Sequence, residues 1–188
     1  MLASLIGAVT LAQLVPTGAL PNTRPATAVH AVSDAEILGA INARDANLIE
    51  ACTMARDKAS STEVRALAAQ LLESHQESLT RGGELAKELQ LSRELPADSA
   101  MARTQLESMD QLALLSGAAF DRTFVEYVRD AHEAEVAKVT RVAVPSARHP
   151  TIKAFVGGRL SALRAHLAMA TTWLAEQGCH STTAVELP

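Results

Sequence analysis

The chain has 188 residues, which suggests one domain with tails. Its formal net charge of −4 comes with scattered Lys and Arg and no basic stripe interleaved with aromatics, which excludes a nucleic-acid binder. Hydrophobic residues make up 48% of the chain but aromatics only 3%, so Ala and Leu carry the apolar content. These residues lose least on entering a helix, and no alternating run of Val, Ile, Thr and Tyr argues for a sheet, so the expected class is all-α.

Residues 1–20, MLASLIGAVTLAQLVPTGAL, are apolar and uncharged. The run ahead of Pro16 is short for a bilayer span and suits the h-region of a secretory signal, although no basic n-region precedes Arg24. Ala26-Thr27-Ala28 and Val29-His30-Ala31 both offer cleavage sites, and cleavage is expected after Ala31. The chain then divides into a signal peptide over 1–31, a helical bundle domain over 32–178 and a mobile tail over 179–188.

Ser33 with Glu36 three residues on has the form of a capping box, opening a helix that runs to about Lys58 with Ile37, Ile41, Leu48 and Cys52 on one stripe and Asn47 and Glu50 beside it. Ser61 or Thr62 starts a second helix, from about Glu63 to Leu89, whose stripe is Val64, Leu67, Leu71, Leu72, His75 and Leu79. Gly82-Gly83 inside it predicts a bend or fraying. After a break at Leu95 to Ser99, a shorter helix covers about Ala100 to Leu115. A long helix follows from Gly117 and is expected to stop before Pro145. Its stripe holds Phe120, Phe124, Val128, Ala131, His132, Glu135, Val139 and Val142, apolar except for the His132 and Glu135 pair. The last helix is expected from Thr151 to about Gln177, with Ile152, Phe155, Val156, Leu160, Leu163, His166, Ala170, Trp173 and Leu174 on its stripe and Gly178 as its C-cap. Gly157-Gly158 within it reads as close helix packing or a kink.

Four long amphipathic helices and one short one imply a ferritin-like antiparallel four-helix bundle with one long crossover carrying a short accessory helix. In that topology Glu50, His132 and His166 fall about 22–24 Å from one end of the bundle, with His75 within a further turn. Three of six histidines thus lie on core stripes at one level, whereas His30, His149 and His180 lie in tails or loops. Imidazole and carboxylate donors suit zinc, iron, manganese or copper. The candidate ligands for one transition-metal ion are Glu50, His75, His132, Glu135 and His166. There are too few carboxylates for an ordinary di-iron centre, because the long central helix reads His-x-x-Glu where di-iron bundles read Glu-x-x-His. The alternative is a satisfied polar layer of buried histidines that fixes helix register. No nucleophile constellation is present, which leans against an enzyme. Cys52 reads as an inert buried thiol, more than 10 Å in height from Cys179 by helix rise, too far for a bridge.

Glu50, then residues Ala59 to Ala69 (ASSTEVRALAA) with His75, Gly117 to Arg122 (GAAFDR) with Tyr127 and His132, and Arg164-Ala165-His166-Leu167 together resemble the bacterial exported family called domain of unknown function 4142. Its members are often labelled outer membrane proteins. The resemblance spans about Asp34 to Ala170 and implies a ferritin-like bundle located in the cell envelope. The expected location is periplasmic or outer-membrane associated, and the expected partners are a metal ion and, peripherally, the envelope membrane. It implies no established activity. Two positions depart from the family's pattern: Phe124 stands where it usually has Tyr, and Ser74 where an Asp commonly precedes the helix-two histidine. The sequence therefore points to an envelope protein binding a metal ion or small ligand at a mid-bundle His/Glu layer, or to a non-catalytic structural or interaction protein.

Overall fold

The computed structural model describes residues 32–91 and 99–183. The expected signal peptide and residues 184–188 of the expected tail lie outside the described residues. The helices are α1 (Asp34–Lys58), α2 (Thr62–Glu88), α3 (Ser99–Leu114), α4 (Gly117–Lys138), a π-helical segment (Val139–Ala143), the short α5 (Val144–Ser146) and α6 (Pro150–Thr183). There is no strand among the described residues, and no helix there is long and apolar enough to cross a membrane.

Local chemistry sets the helix starts. The Ser33 side chain accepts from the Glu36 amide at 3.1 Å while the Ser33 amide donates to Glu36 Oε2 at 2.7 Å, so the capping box forms in both directions. Ser61 caps α2 by accepting from the Val64 amide. Gly117 opens α4 with φ of +60°, a backbone state that side-chain-bearing residues rarely adopt, and so turns the chain from α3 into α4.

Cross-bundle contacts fix the topology. Lys58 Nζ, at the end of α1, donates to the carbonyls of Leu112 and Ala113 at the end of α3. At the same end of the bundle, Asp121 near the start of α4 accepts from the amides of Ser60 and Ser61 and from the Ser60 hydroxyl, at 2.9, 2.8 and 2.5 Å. At the opposite end, Asp34 accepts from the amides of Arg148 and His149, both at 2.9 Å. So α1 rises, α2 falls, α3 rises across the bundle, α4 falls and α6 rises. This is a ferritin-like antiparallel bundle with its crossover on α3. Helix α1 packs chiefly on α2 and α4 on α6, and contacts of α1 with α4 and of α2 with α6 close the bundle.

The core is split. One apolar cluster holds Ala51, Cys52, Val64, Leu71, Phe120, Phe124 and Val128, with the two phenyl rings stacked at 6.2 Å. The other holds Ile37, Leu38, Ile41, Leu85, Val139, Ile152 and Val156. Between them lie the buried polar residues Asp45, His75, His132, Glu135, Arg159 and His166. Cys52 is a free, fully buried thiol whose pKa is pushed up to about 12 by burial.

Several local expectations are corrected. The helical path does not stop before Pro145: it passes through the π segment into α5. Proline clashes with the carbonyl four residues back, and a widened turn just ahead of it relieves that clash. The wider turn also delays the apolar phase, so Ala143 and Ala147 are buried and Val142 is only half-buried. Helix α2 is unbroken across Gly82-Gly83; Gly82 is buried where any Cβ would run into the Asn42 side chain of α1, so its role is close approach. Gly157 and Gly158 are the reverse, with nothing within 4 Å of a Cβ at either, so neither serves close packing. Helix α6 continues past Gly178 to Thr183, since glycine weakens a helix by only about 1 kcal/mol relative to alanine.

Asp121→Ala would strand two amides at the α1–α2 turn. Unpaired donors cost roughly 1–3 kcal/mol each, so a loss of about 2–6 kcal/mol is expected in urea unfolding. A change within experimental scatter would mean that water replaces the carboxylate there.

Candidate metal centre

The polar layer is built one helix at a time. On α1 the inward residue is Asp45, fully buried, one helical step from Ile41 on one side and Leu48 on the other. Glu50 is exposed. Five residues of helix turn through about 500°, which leaves Glu50 pointing about 140° away from Asp45. Helix α2 contributes His75, α4 contributes His132 and Glu135, and α6 contributes Arg159 and His166. Arg159 lies on the same inward stripe as Val156, Leu163 and His166.

Arg159 ties the layer together. Its Nη1 donates to Asp45, 2.8 Å from Oδ1 and 3.0 Å from Oδ2, and to Ser78 Oγ at 2.6 Å. Its Nε and Nη2 donate to Glu135 Oε1 at 3.0 and 2.5 Å. Burial opposes the guanidinium charge, but Glu135 and Asp45 more than offset it, and the Arg159 pKa is raised. One cation thus links four elements of the bundle through Asp45, Ser78 and Glu135.

The three histidines meet beside this ion pair. Asp45 Oδ1 lies 2.8 Å from His75 Nδ1, so that nitrogen carries the proton and donates to the carboxylate. His132 Nδ1 lies 2.8 Å from the Val128 carbonyl and likewise donates. Both rings are thereby oriented with Nε2 as their lone-pair atom. His132 Nε2 sits 3.2 Å from His166 Nδ1. His75 Nε2 is buried with no hydrogen-bond partner, and so is Glu135 Oε2. Ring centroids are 5.2–5.4 Å apart, and one ligand atom from each histidine lies within 4.8 Å of the others.

The electrostatics keep two of the rings neutral. The His132 pKa is lowered to about 3, first by burial and then by the neighbouring His75, against the pull of the Val128 carbonyl. His166 is lowered to about 4, by burial first and then by His75 and Arg159. A neutral imidazole with one nitrogen tied to a carboxylate or carbonyl and the other free is the state in which histidine ligates metals.

Of the five residues singled out in the sequence, the structure thus brings together His75, His132 and His166. Glu135 lies in the same layer with one oxygen engaged by Arg159, and Glu50 is elsewhere. Asp45 and Arg159 are the two members that the sequence reading passed over. Each occupies an inward position between recognised stripe residues, and that spacing was the available signal.

An all-helical bundle with three imidazoles converging in a polar core layer is the class that fold and site define. The chain belongs to the family described as Domain of unknown function (DUF4142), matched over residues 19–172. Two solved structures are similar in fold. One is a protein from Streptomyces coelicolor described as secreted and as DUF305, with 17% identity, covering 77% of this chain and 93% of that one at a TM-score of 0.67. The other is CopM in the Cu(II)-bound form, with 16% identity, covering 77% of this chain and 98% of that one at a TM-score of 0.62. No curated protein matches the chain.

Removing the cation from the layer leaves two buried carboxylates uncompensated. Arg159→Met is expected to cost about 3–5 kcal/mol in chemical unfolding. A cost under about 1 kcal/mol would show that solvent screens the layer as it screens a surface pair.

The histidine shifts also set a pH dependence for the metal-free protein. A pH unit or more above 6.5 neither ring binds a proton appreciably in either state, and stability is unaffected. Below 6.5 the unfolded chain protonates both residues while the fold does not, so stability falls with pH, down to about 4 for His166 and about 3 for His132. The slope is up to about 1.4 kcal/mol per pH unit for each ring. Unfolding midpoints between pH 7.5 and 4.5 should show this slope, reduced in His132→Gln/His166→Gln. An equal slope in the variant would assign the acid sensitivity elsewhere.

Proposed function

We propose that this protein binds one transition-metal ion through His75, His132 and His166, as an exported binding protein of the cell envelope. The observation that carries the reading is the convergence of three buried imidazole nitrogens, one of which, His75 Nε2, has no partner at all. Two imidazoles on one ion at about 2.0–2.1 Å in near-tetrahedral geometry stand about 3.3 Å apart. The 3.2 Å between His132 Nε2 and His166 Nδ1 fits that requirement as it stands. The outer hydrogen bonds from His75 to Asp45 and from His132 to Val128 are of the kind that fix ligand tautomers. An all-nitrogen set, with its nearest carboxylates engaged by Arg159, favours copper or zinc over iron or manganese. The Cu(II)-bound form of CopM, on the same fold, supports copper. The apolar leader expected over residues 1–31 and the secreted description of the S. coelicolor neighbour support export, to the periplasm or the outer membrane.

A second reading has its own observation. His75 with Asp45, His132 with Val128 and His132 with His166 already make hydrogen bonds. A purely structural layer that fixes register needs little more than these.

Elemental analysis and metal titration of the protein, purified without a histidine tag, separate the two. Near-stoichiometric copper or zinc is expected, abolished in His132→Ala/His166→Ala. With free ion at one hundred times Kd the fold should gain about 2.7 kcal/mol. No metal in either protein, with the variant merely less stable, would leave the structural layer.

A further inference from the structure

A cleft of about 330 Å³ opens between α2 and α6, directly over the histidine cluster. His75, His166 and Arg159 form part of its wall, and Ser74, Ser78 and Gly158 flank them. His132 does not line it, so the cluster is reached from this cleft past the other two rings. His75 is 1% exposed, and its Nε2 is buried without a hydrogen-bond partner.

Two observations ask for an occupant. The first is Gly158. It sits in mid-helix, where glycine costs about 1 kcal/mol relative to alanine, and its φ does not require glycine. A Cβ there would meet nothing within 4 Å, so packing does not require it either. Gly157 shares these properties, but Gly158 lines the cleft and Gly157 does not, so what the missing side chain of Gly158 does is leave that part of the wall bare. The second is charge. Asp45, Glu135 and Arg159 carry a formal sum of −1 in the buried layer, so a divalent ion on three neutral imidazoles brings the layer to +1. A buried net charge is costly unless it is compensated, and one monoanion reaching the ion from the cleft restores neutrality.

We infer that the cleft between α2 and α6 is a small-monoanion site that completes the coordination of the ion held by His75, His132 and His166, with Gly158 keeping the approach open. This rests on the metal reading above. The anion takes the place of a water on the ion and is of the size of hydroxide, chloride or azide. Arg159, already bound to Asp45, Ser78 and Glu135, forms a fixed cationic wall beside it.

The test loads the full-length protein with Cu(II) and titrates azide, reading the azide-to-copper charge-transfer absorption and the electron paramagnetic resonance spectrum. Wild type is expected to show a saturable new band. Gly158→Leu should keep its copper, lose azide affinity by at least about tenfold and release copper more slowly to EDTA. Ala162→Leu, which fills the same cleft one turn further on, should do the same. Gly157→Leu, an equal change of helix propensity at a neighbouring exposed position outside the cleft wall, should match wild type. Copper loading without any azide response overturns this inference and leaves the metal site standing. So does an azide response that both cleft-filling variants retain. Failure of wild type to load copper overturns this inference, and failure to load zinc as well overturns the metal reading with it.

Discussion

The structure depends on one buried guanidinium. Arg159 holds Asp45 of α1 and Glu135 of α4 from its place on α6, and reaches Ser78 of α2 with the same nitrogen that serves Asp45. Charges removed from water are costly, and they are tolerable here because every donor direction used ends on an oxygen. The layer also separates two apolar clusters, and the helices that run through both cannot slide past one another without breaking the ion pairs. Helix register in the bundle is therefore set at its waist by direction-dependent bonds, while the stability above and below comes from non-directional burial.

The histidines inherit their order from this arrangement. Asp45 is positioned by Arg159 and in turn orients His75. The backbone of α4 orients His132 through the Val128 carbonyl one turn earlier. Neither ring can turn without giving up a buried hydrogen bond, so the direction of each Nε2 is fixed. Burial keeps His132 and His166 unprotonated through the neutral range, which preserves their lone pairs. The low-dielectric interior that makes the layer expensive is thus also what keeps it ready to act as a donor set.

Much of this was legible in the sequence because it follows from periodicity. The Ser33–Glu36 box, the long second link and the apolar stripes were enough for the helices, the crossover and the common level of His75, His132 and His166. What escaped was chemistry that periodicity treats as noise. Asp45 and Arg159 occupy inward positions, but a charged residue between apolar neighbours reads as surface unless its partner, more than a hundred residues away, is known. Glu50 lies at the right height along α1, but its azimuth, about 140° from Asp45, puts it on the exposed face. Pro145 suggested a stop because a regular α-helix cannot carry it, and the π turn that accommodates it has no sequence marker of its own. The paired glycines divided by environment: Gly82 allows contact and Gly158 leaves space, a difference invisible until the neighbouring helix is placed.

The cost of the layer bears on why it exists. Replacing a buried ion pair with well-packed apolar residues is often neutral or stabilising by about 1–4 kcal/mol. A bundle that needed only register could fix it with one polar residue, as coiled coils do with a single asparagine. This chain instead commits Asp45, His75, His132, Glu135, Arg159 and His166 to one level and leaves two of their polar atoms, His75 Nε2 and Glu135 Oε2, without partners. An over-supplied layer with unspent lone pairs and a formal charge of −1 is poorly matched to a purely structural task. Under the proposed metal reading, the same unsatisfied atoms would serve as ligands or counter-charges.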